Sequence, residues 1–271
     1  MKWTYHLEKL SQRGYEWSVV CGPEYHISHI PDSLKSSIRC EPFIGIHALR
    51  SSVKCRLTSY LHRGIIAPKS FREPSCDELD STERQSIHFL LRRGNLIAGS
   101  IRGTLHHFHT ENPQWFCKEM LDRCGRLDDA PRILEYVRNV ERTSDVYFEV
   151  SGWYMNPDLK SAAVYAVLMP SMVWAFTSSF VSSFPGLATL RGSNRAAKML
   201  INLGGLEFSD CCYYDDLYQG EVRILGLHSR GYTPLIEDAV EFLKGELQQI
   251  PIITTAEAFS EGQVIDEGLT G

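Results

Sequence analysis

Residues 147–155, YFEVSGWYM, constrain the fold more tightly than any other stretch of the chain. Alternation along a strand puts Tyr147, Glu149, Ser151, Trp153 and Met155 on one face, and Phe148, Val150, Gly152 and Tyr154 on the other. Both rows are largely apolar, so the strand is expected to be covered on both sides and to run through the middle of a sheet. A carboxylate, Glu149, nevertheless stands in its interior. Burial disfavours the charged form and suits such a group to take a proton as a general base. Pairing with an arginine at a strand end is the other role open to it. Gly152 weakens a strand unless it marks a bulge or a close backbone approach. A bulge there would part the strand from a neighbour and free amide N–H groups able to hold a carbonyl oxygen. The turn Asn156-Pro157-Asp158 then leads into a helix, whose positive N-terminus suits an anion such as a phosphate.

The flanking sequence supplies the rest of an α/β domain. Apolar residues at 46, 49, 53, 57 and 61 describe one helix face, ended by Gly64 and Pro68. SIHFLLRRGNLIAGSIRGTL is two apolar runs about a tight turn, a hairpin. Residues 113–142 form amphipathic helix in two pieces divided at Pro131. The apolar stretch 161–181 is long enough to raise the question of a membrane span, but its serines, Thr177 and Pro170 identify a broken core helix. GLATLR is a short strand, SNRAAKMLINLGG a helix with a glycine stop, and LEFSDCCYY and EVRILGLH a second hairpin about DDLYQG. Pro234 opens a helix running to about Gln249. YEWSVVCG is a further strand candidate near the start. The expected division is an N-terminal extension over 1–40, a core over 41–232, and a C-terminal helix and tail over 233–271.

A net charge of -5 argues against coating of nucleic acid through a general positive field. The cysteines at 21, 40, 55, 76, 117, 124, 211 and 212 include no C-x-x-C pair and read as reduced thiols of a cytoplasmic protein. His106, His107 and His109 have no acidic or thiolate partner nearby in sequence, so no metal site is expected. Arg191, Arg195 and Lys198 fall at i, i+4 and i+7, a positive stripe that is either a solvated face or a dock for an acidic partner.

EVSGWYMNPDLKSAA resembles the fourth strand and following loop of the GNAT superfamily of N-acyltransferases, in particular its autoinducer-synthase and long-chain N-acyl-amino-acid synthase branch. That branch carries E-x-S-R-x-x-V-x-P. Here Glu149, Ser151, Met155 and Pro157 follow the pattern, and Gly152 replaces its arginine. CDELD resembles the acidic D-x-x-D at Asp77 and Asp80, AGSIRGT the G-x-x-R strand at Gly99 and Arg102, and NRAAKMLINLGGLEF the later helix at Asn194, Ala197, Leu200 and Gly205. The resemblance spans about 44–228. It implies a mixed, mostly antiparallel α/β sheet with splayed fourth and fifth strands and helices on both faces. It also implies transfer of a medium or long acyl chain from a thioester to the amine of an amino acid or similar small molecule.

Two departures shape the expected donor. KSAAVY stands where coenzyme A users have a glycine-rich pyrophosphate loop, and Ile201 stands where the family tyrosine protonates the leaving thiolate. A single phosphate met by Lys160 suits the phosphopantetheine of an acyl carrier protein better than free coenzyme A. No permanently bound cofactor is implied. The expected catalytic positions are Glu149, Ser151 and Trp153. Donor binding is expected at Gly152, Tyr154, Lys160, Ser161 and Asn194, acceptor binding at Asp77, Asp80 and Arg102, and carrier docking at Arg191, Arg195 and Lys198. Trp153, Met155, Met169, Met172 and Trp174 are candidate walls for the acyl chain. An acyl-CoA-dependent acetyltransferase and a GNAT-shaped acyl-binding module without turnover are the alternatives.

Overall fold

The computed structural model describes residues 3–64, 66, 79–109, 116–156, 162–178, 185–191, 200–201, 204–228 and 233–255, with backbone alone at 4, 7, 162–166, 185–191 and 209. Helix α1 (Trp3–Gln12) precedes β1 (Glu16–Cys21), β2 (Ile38–Cys40) and α2 (Pro42–His62). The short α3 (Ser81–Gln85) leads into the hairpin β3 (Ile87–Arg93) and β4 (Leu96–His107), whose turn uses Gly94 at φ 56°. Then come α4 (Phe116–Arg123), α5 (Ala130–Val140), β5 (Val146–Met155), α6 (Ala162–Thr177) and β6 (Pro185–Arg191). The hairpin β7 (Leu206–Asp215) and β8 (Gly220–His228), α7 (Pro234–Glu246) and β9 (Ile252–Thr254) complete the described elements.

The strands form one nine-stranded sheet in the order β2-β9-β1-β3-β4-β5-β6-β8-β7. From β1 to β7 every neighbouring pair is antiparallel except β5 with β6. This is the mixed, mostly antiparallel sheet expected from the sequence, and β5 and β6 are the fourth and fifth strands of that run. Residues 16–21, within the segment expected as an extension, form the internal strand β1. Residues 252–254 pair in parallel with both β1 and β2.

Each face of the sheet has its own helices. The face carrying Tyr147 and Glu149 is covered by α2, α3, α4 and α5, and the opposite face by α6, with α7 and α1 packed beyond it. Leu168, Met169, Met172, Val173 and Phe176 of α6 are fully buried against the sheet, so its apolar run is core, and no described helix is long and apolar enough to cross a membrane. Pro170 lies inside α6. Helix α2 turns a slightly different stripe inward than its leucines suggest: Gly45, Ala48, Leu49, Ser52, Val53 and Arg56 are buried.

Candidate active site

Gly152 adopts φ 63°, a left-handed conformation that suits glycine, and the β4–β5 register shifts beside it: Arg102 pairs with Ser151, but Ser100 pairs with Tyr154. The extra residue makes a bulge, as the glycine suggested. It also breaks the alternation. Beyond it Tyr154 packs on the Glu149 side of the sheet, with Leu49 and Leu90, while Trp153 and Met155 pack against the α6 core. The expected common face for Glu149, Trp153 and Met155 is therefore corrected, because an inserted residue reverses every side chain that follows.

The parallel pairing of β5 with β6 covers only Phe148–Val150 opposite Gly186–Ala188. Past these positions β5 continues with β4 to Met155, and β6 continues with β8 to Arg191, so the two strands part. The N–H of Asn156 donates to the Ala98 carbonyl at 2.8 Å. Alternation along the strand therefore turns the N–H of Met155 toward the gap.

Glu149 is buried, 1% exposed. Its Oε2 accepts from the Phe116 N–H at 2.9 Å and its Oε1 from the Cys117 N–H at 2.8 Å, the first amides of α4. His106 Nε2 lies 3.3 Å from Oε2, and the His106 ring stacks on Tyr147 with centroids 5.0 Å apart. Of the two roles left open by the sequence, pairing with an arginine does not describe this geometry. The carboxylate is clamped by a helix N-terminus, where an anion complements the helix dipole.

A second buried carboxylate organises the bulge. Asp80 caps α3, its Oδ1 accepting from the Glu83 N–H at 2.7 Å, which presents Glu83 inward. Glu83 Oε1 accepts from both Arg56 of α2 and Arg102 of β4. Burial alone raises the Glu83 carboxyl, but the guanidiniums of Arg102 and Arg56 outweigh it and bring it to about 2. Glu83 is thus a fixed anion. His88 Nε2 donates to the Glu83 carbonyl at 3.0 Å, and burial, only partly offset by Glu83, lowers the imidazole to about 4, so it is neutral. Arg102 Nε donates to Ser151 Oγ at 2.8 Å, Arg56 Nη1 to the Gly152 carbonyl at 3.3 Å, and Tyr60 Oη to the Trp153 carbonyl at 2.9 Å.

Helix α4 forms the outer wall. Two guanidiniums lie over the Phe116 ring, Arg102 at 5.2 Å and Arg123 at 5.9 Å, and Arg123 donates to Asp215 at 2.9 Å. Glu119, on the same helix, is solvent-exposed. Its carboxyl is nevertheless raised, first by local desolvation and then by the Asp80 carboxylate, with Arg102 and Arg123 opposing. Tyr218, in the β7–β8 turn, is raised by burial and next by Tyr60, and it feels Arg123 and Arg102.

The structure thus brings together Asp80, Arg102, Glu149, Ser151 and Gly152 from the sequence-derived set, with Tyr154 also on the α2 side and Trp153 on the opposite face, against the α6 core. Asp77, Lys160, Ser161, Asn194, Arg195 and Lys198 lie outside the described residues, and Arg191 closes β6 with backbone alone described. Sequence reasoning missed Arg56, Tyr60, Glu83, Glu119 and Arg123. The available signal was Arg56 itself, a charge within the buried stripe of α2. Among the described residues no cluster of three or more histidines, cysteines or acids is arranged to hold a metal ion.

No protein-family model matches the chain, and a search of curated proteins found no relative in sequence. Solved structures do match. A CoA-dependent acyl-homoserine lactone synthase, BjaI, aligns over 90% of this chain and 95% of its own at 11% identity and a TM-score of 0.50. FeeM, an N-acyl amino acid synthase from uncultured soil microbes, aligns over 66% of this chain and 90% of its own at 12% identity and a TM-score of 0.44. The AHL synthase LasI aligns over 82% of this chain and 92% of its own at 10% identity and a TM-score of 0.40. At such identities the likeness is one of fold, and BjaI carries it.

Proposed function

We propose that the chain is an N-acyltransferase that moves a medium or long acyl group from a phosphopantetheine thioester to the amine of an amino acid or similar small molecule. The observation that carries this reading is the parting of β5 from β6 beside the Gly152 bulge, with ionisable groups gathered on one side and an apolar core on the other. The pantetheine arm lies in the gap, and strand amides there, Met155 among them, polarise the thioester carbonyl. The chain runs toward Trp153, Met155 and Met169. The last two already converge on Gly99, where an added Cβ would meet the Met155 sulfur at 2.9 Å and the Met169 sulfur at 3.3 Å.

The acceptor enters from the α4 side, its ammonium drawn by Asp80 and Glu119. Glu119 takes the proton, since it reaches solvent and desolvation and the Asp80 carboxylate raise its carboxyl. Glu149 acts through α4, which it holds in place. Once the ammonium has given one proton to Glu119, the amine nitrogen attacks the carbonyl carbon, a C–N bond forms, the C–S bond breaks, and the nitrogen's second proton passes through water to the departing thiolate. The reading keeps an acyl carrier protein as donor, docked on Arg191, Arg195 and Lys198 with its phosphate at Lys160, and keeps Asp77, Ser161 and Asn194 as further contacts.

The test incubates purified protein with decanoyl-acyl carrier protein or decanoyl-coenzyme A and a mixture of amino acids, read by mass spectrometry. An acylated amine is expected with wild type. Glu119→Gln is expected to lower kcat/KM by about 100-fold and to abolish the acidic limb of its pH profile. Turnover with the coenzyme A thioester alone overturns the carrier assignment. Thioester binding without any product overturns the enzyme reading.

A further inference from the structure

A bulge leaves a strand carbonyl without its partner across the ladder, and a buried carbonyl without a partner is costly. At a cleft, water is the cheapest remedy. Here two side chains of one helix do the work instead. Arg56 and Tyr60 stand one turn apart on α2, and they donate to the consecutive carbonyls of Gly152 and Trp153 at 3.3 Å and 2.9 Å. The preceding residue is gripped as well, because Ser151 Oγ accepts from Arg102 Nε at 2.8 Å. Arg56 and Arg102 share one carboxylate oxygen of Glu83, and both arginines are 4% exposed. Three successive positions of β5 are therefore held from the α2 side by groups that fix one another. Among the described residues the pairing of β5 with β6 stops at Val150, short of these positions.

We propose that Arg56 and Tyr60, locked by Glu83, are positioning residues that set the direction of β5 through the bulge and thereby aim its cleft-facing amides, that of Met155 among them, at the thioester carbonyl. The proposal rests on the acyl-transfer reading given above. Gly152 belongs to the same device. A Cβ there would stand 2.8 Å from Arg56 Nη1, so the bare glycine lets the guanidinium reach the backbone. Arginine suits this post because its planar fork serves the Glu83 carboxylate and the carbonyl at once. Neither Arg56 nor Tyr60 need touch either substrate.

The measurement is infrared difference spectroscopy of decanoyl-acyl carrier protein labelled with 13C at the thioester carbonyl, bound to the full chain without acceptor and paired with kcat and KM for the amine. Wild type is expected to shift the bound carbonyl band to lower frequency than in free thioester. Tyr60→Phe and, separately, Arg56→Lys are expected to fold, to return the band part-way to its free position, and to lower kcat ~10-fold with acceptor KM changed less than ~2-fold. A folded variant with wild-type band and wild-type kcat overturns the proposal, whatever its melting temperature, since the contacts then serve stability alone. A wild-type protein with no bound carbonyl band removes the acyl-transfer reading, and this assignment falls with it. Positioning failure shows only in the variants, and failure of the function shows already in wild type.

Discussion

Gly152 is the residue on which the site turns. Its positive φ costs a residue bearing a Cβ roughly 1–2 kcal/mol, and the Arg56 guanidinium lies within contact of any added carbon. Gly152→Ala is expected to destabilise the fold by at least about 1 kcal/mol in urea titration, because strain and displacement of Arg56 act together. The bulge was legible in the sequence, since a glycine inside an apolar strand gives up both packing and backbone entropy unless the chain bends there. Its effect on the neighbours was not carried forward, and so Trp153 was expected beside Glu149. The partners of the bulge were hidden by distance along the chain. Arg56 reaches a carbonyl 96 residues away and Tyr60 one 93 residues away, and a charge on a helix ordinarily reads as a solvated face. Glu149 was singled out correctly as a buried carboxylate, but the amides it serves belong to a helix distant in sequence.

At the scale of elements, α4 depends on two anions. Glu149 receives its first amides, and Asp215, fully buried, holds Arg123 in its last turn. Loss of an N-terminal acceptor typically costs about 1 kcal/mol. Glu149→Ala is therefore expected to speed hydrogen exchange at the Phe116 and Cys117 amides by roughly ten-fold, with the β3–β4 hairpin unaffected. Exchange unchanged at those two amides would contradict the anchoring role. Helices and hairpins were the most legible part of the chain. Periodicity found α2 and α7, and apolar runs about turn residues found the β3–β4 and β7–β8 hairpins, because β3 and β4 are buried on both faces. The stripe of α2 was misjudged by about one residue, as Arg56 and Ser52 face inward where leucines at 57 and 61 were expected to. A polar side chain that is buried because it is paired escapes a pattern built on apolarity.

For the whole molecule, the sheet is closed on its N-terminal side by residues far apart in the chain. Ile252 and Ile253 are almost fully buried, and β9 supplies the parallel link between β1 and β2. Truncation before Pro251 is expected to remove roughly 3–6 kcal/mol of apolar burial, seen as a lowered urea midpoint. It also exposes the edge of β1. The three-residue β9 carried no legible pattern, since so short a strand has no period to show. Its late place in the chain has a consequence for biosynthesis. As the polypeptide emerges, the strands flanking the cleft can pair among themselves well before residues 252–254 have been translated, so the nascent sheet carries a bare flank in the meantime. Such a flank is a natural seat for a holding chaperone and a point where two unfinished copies can join.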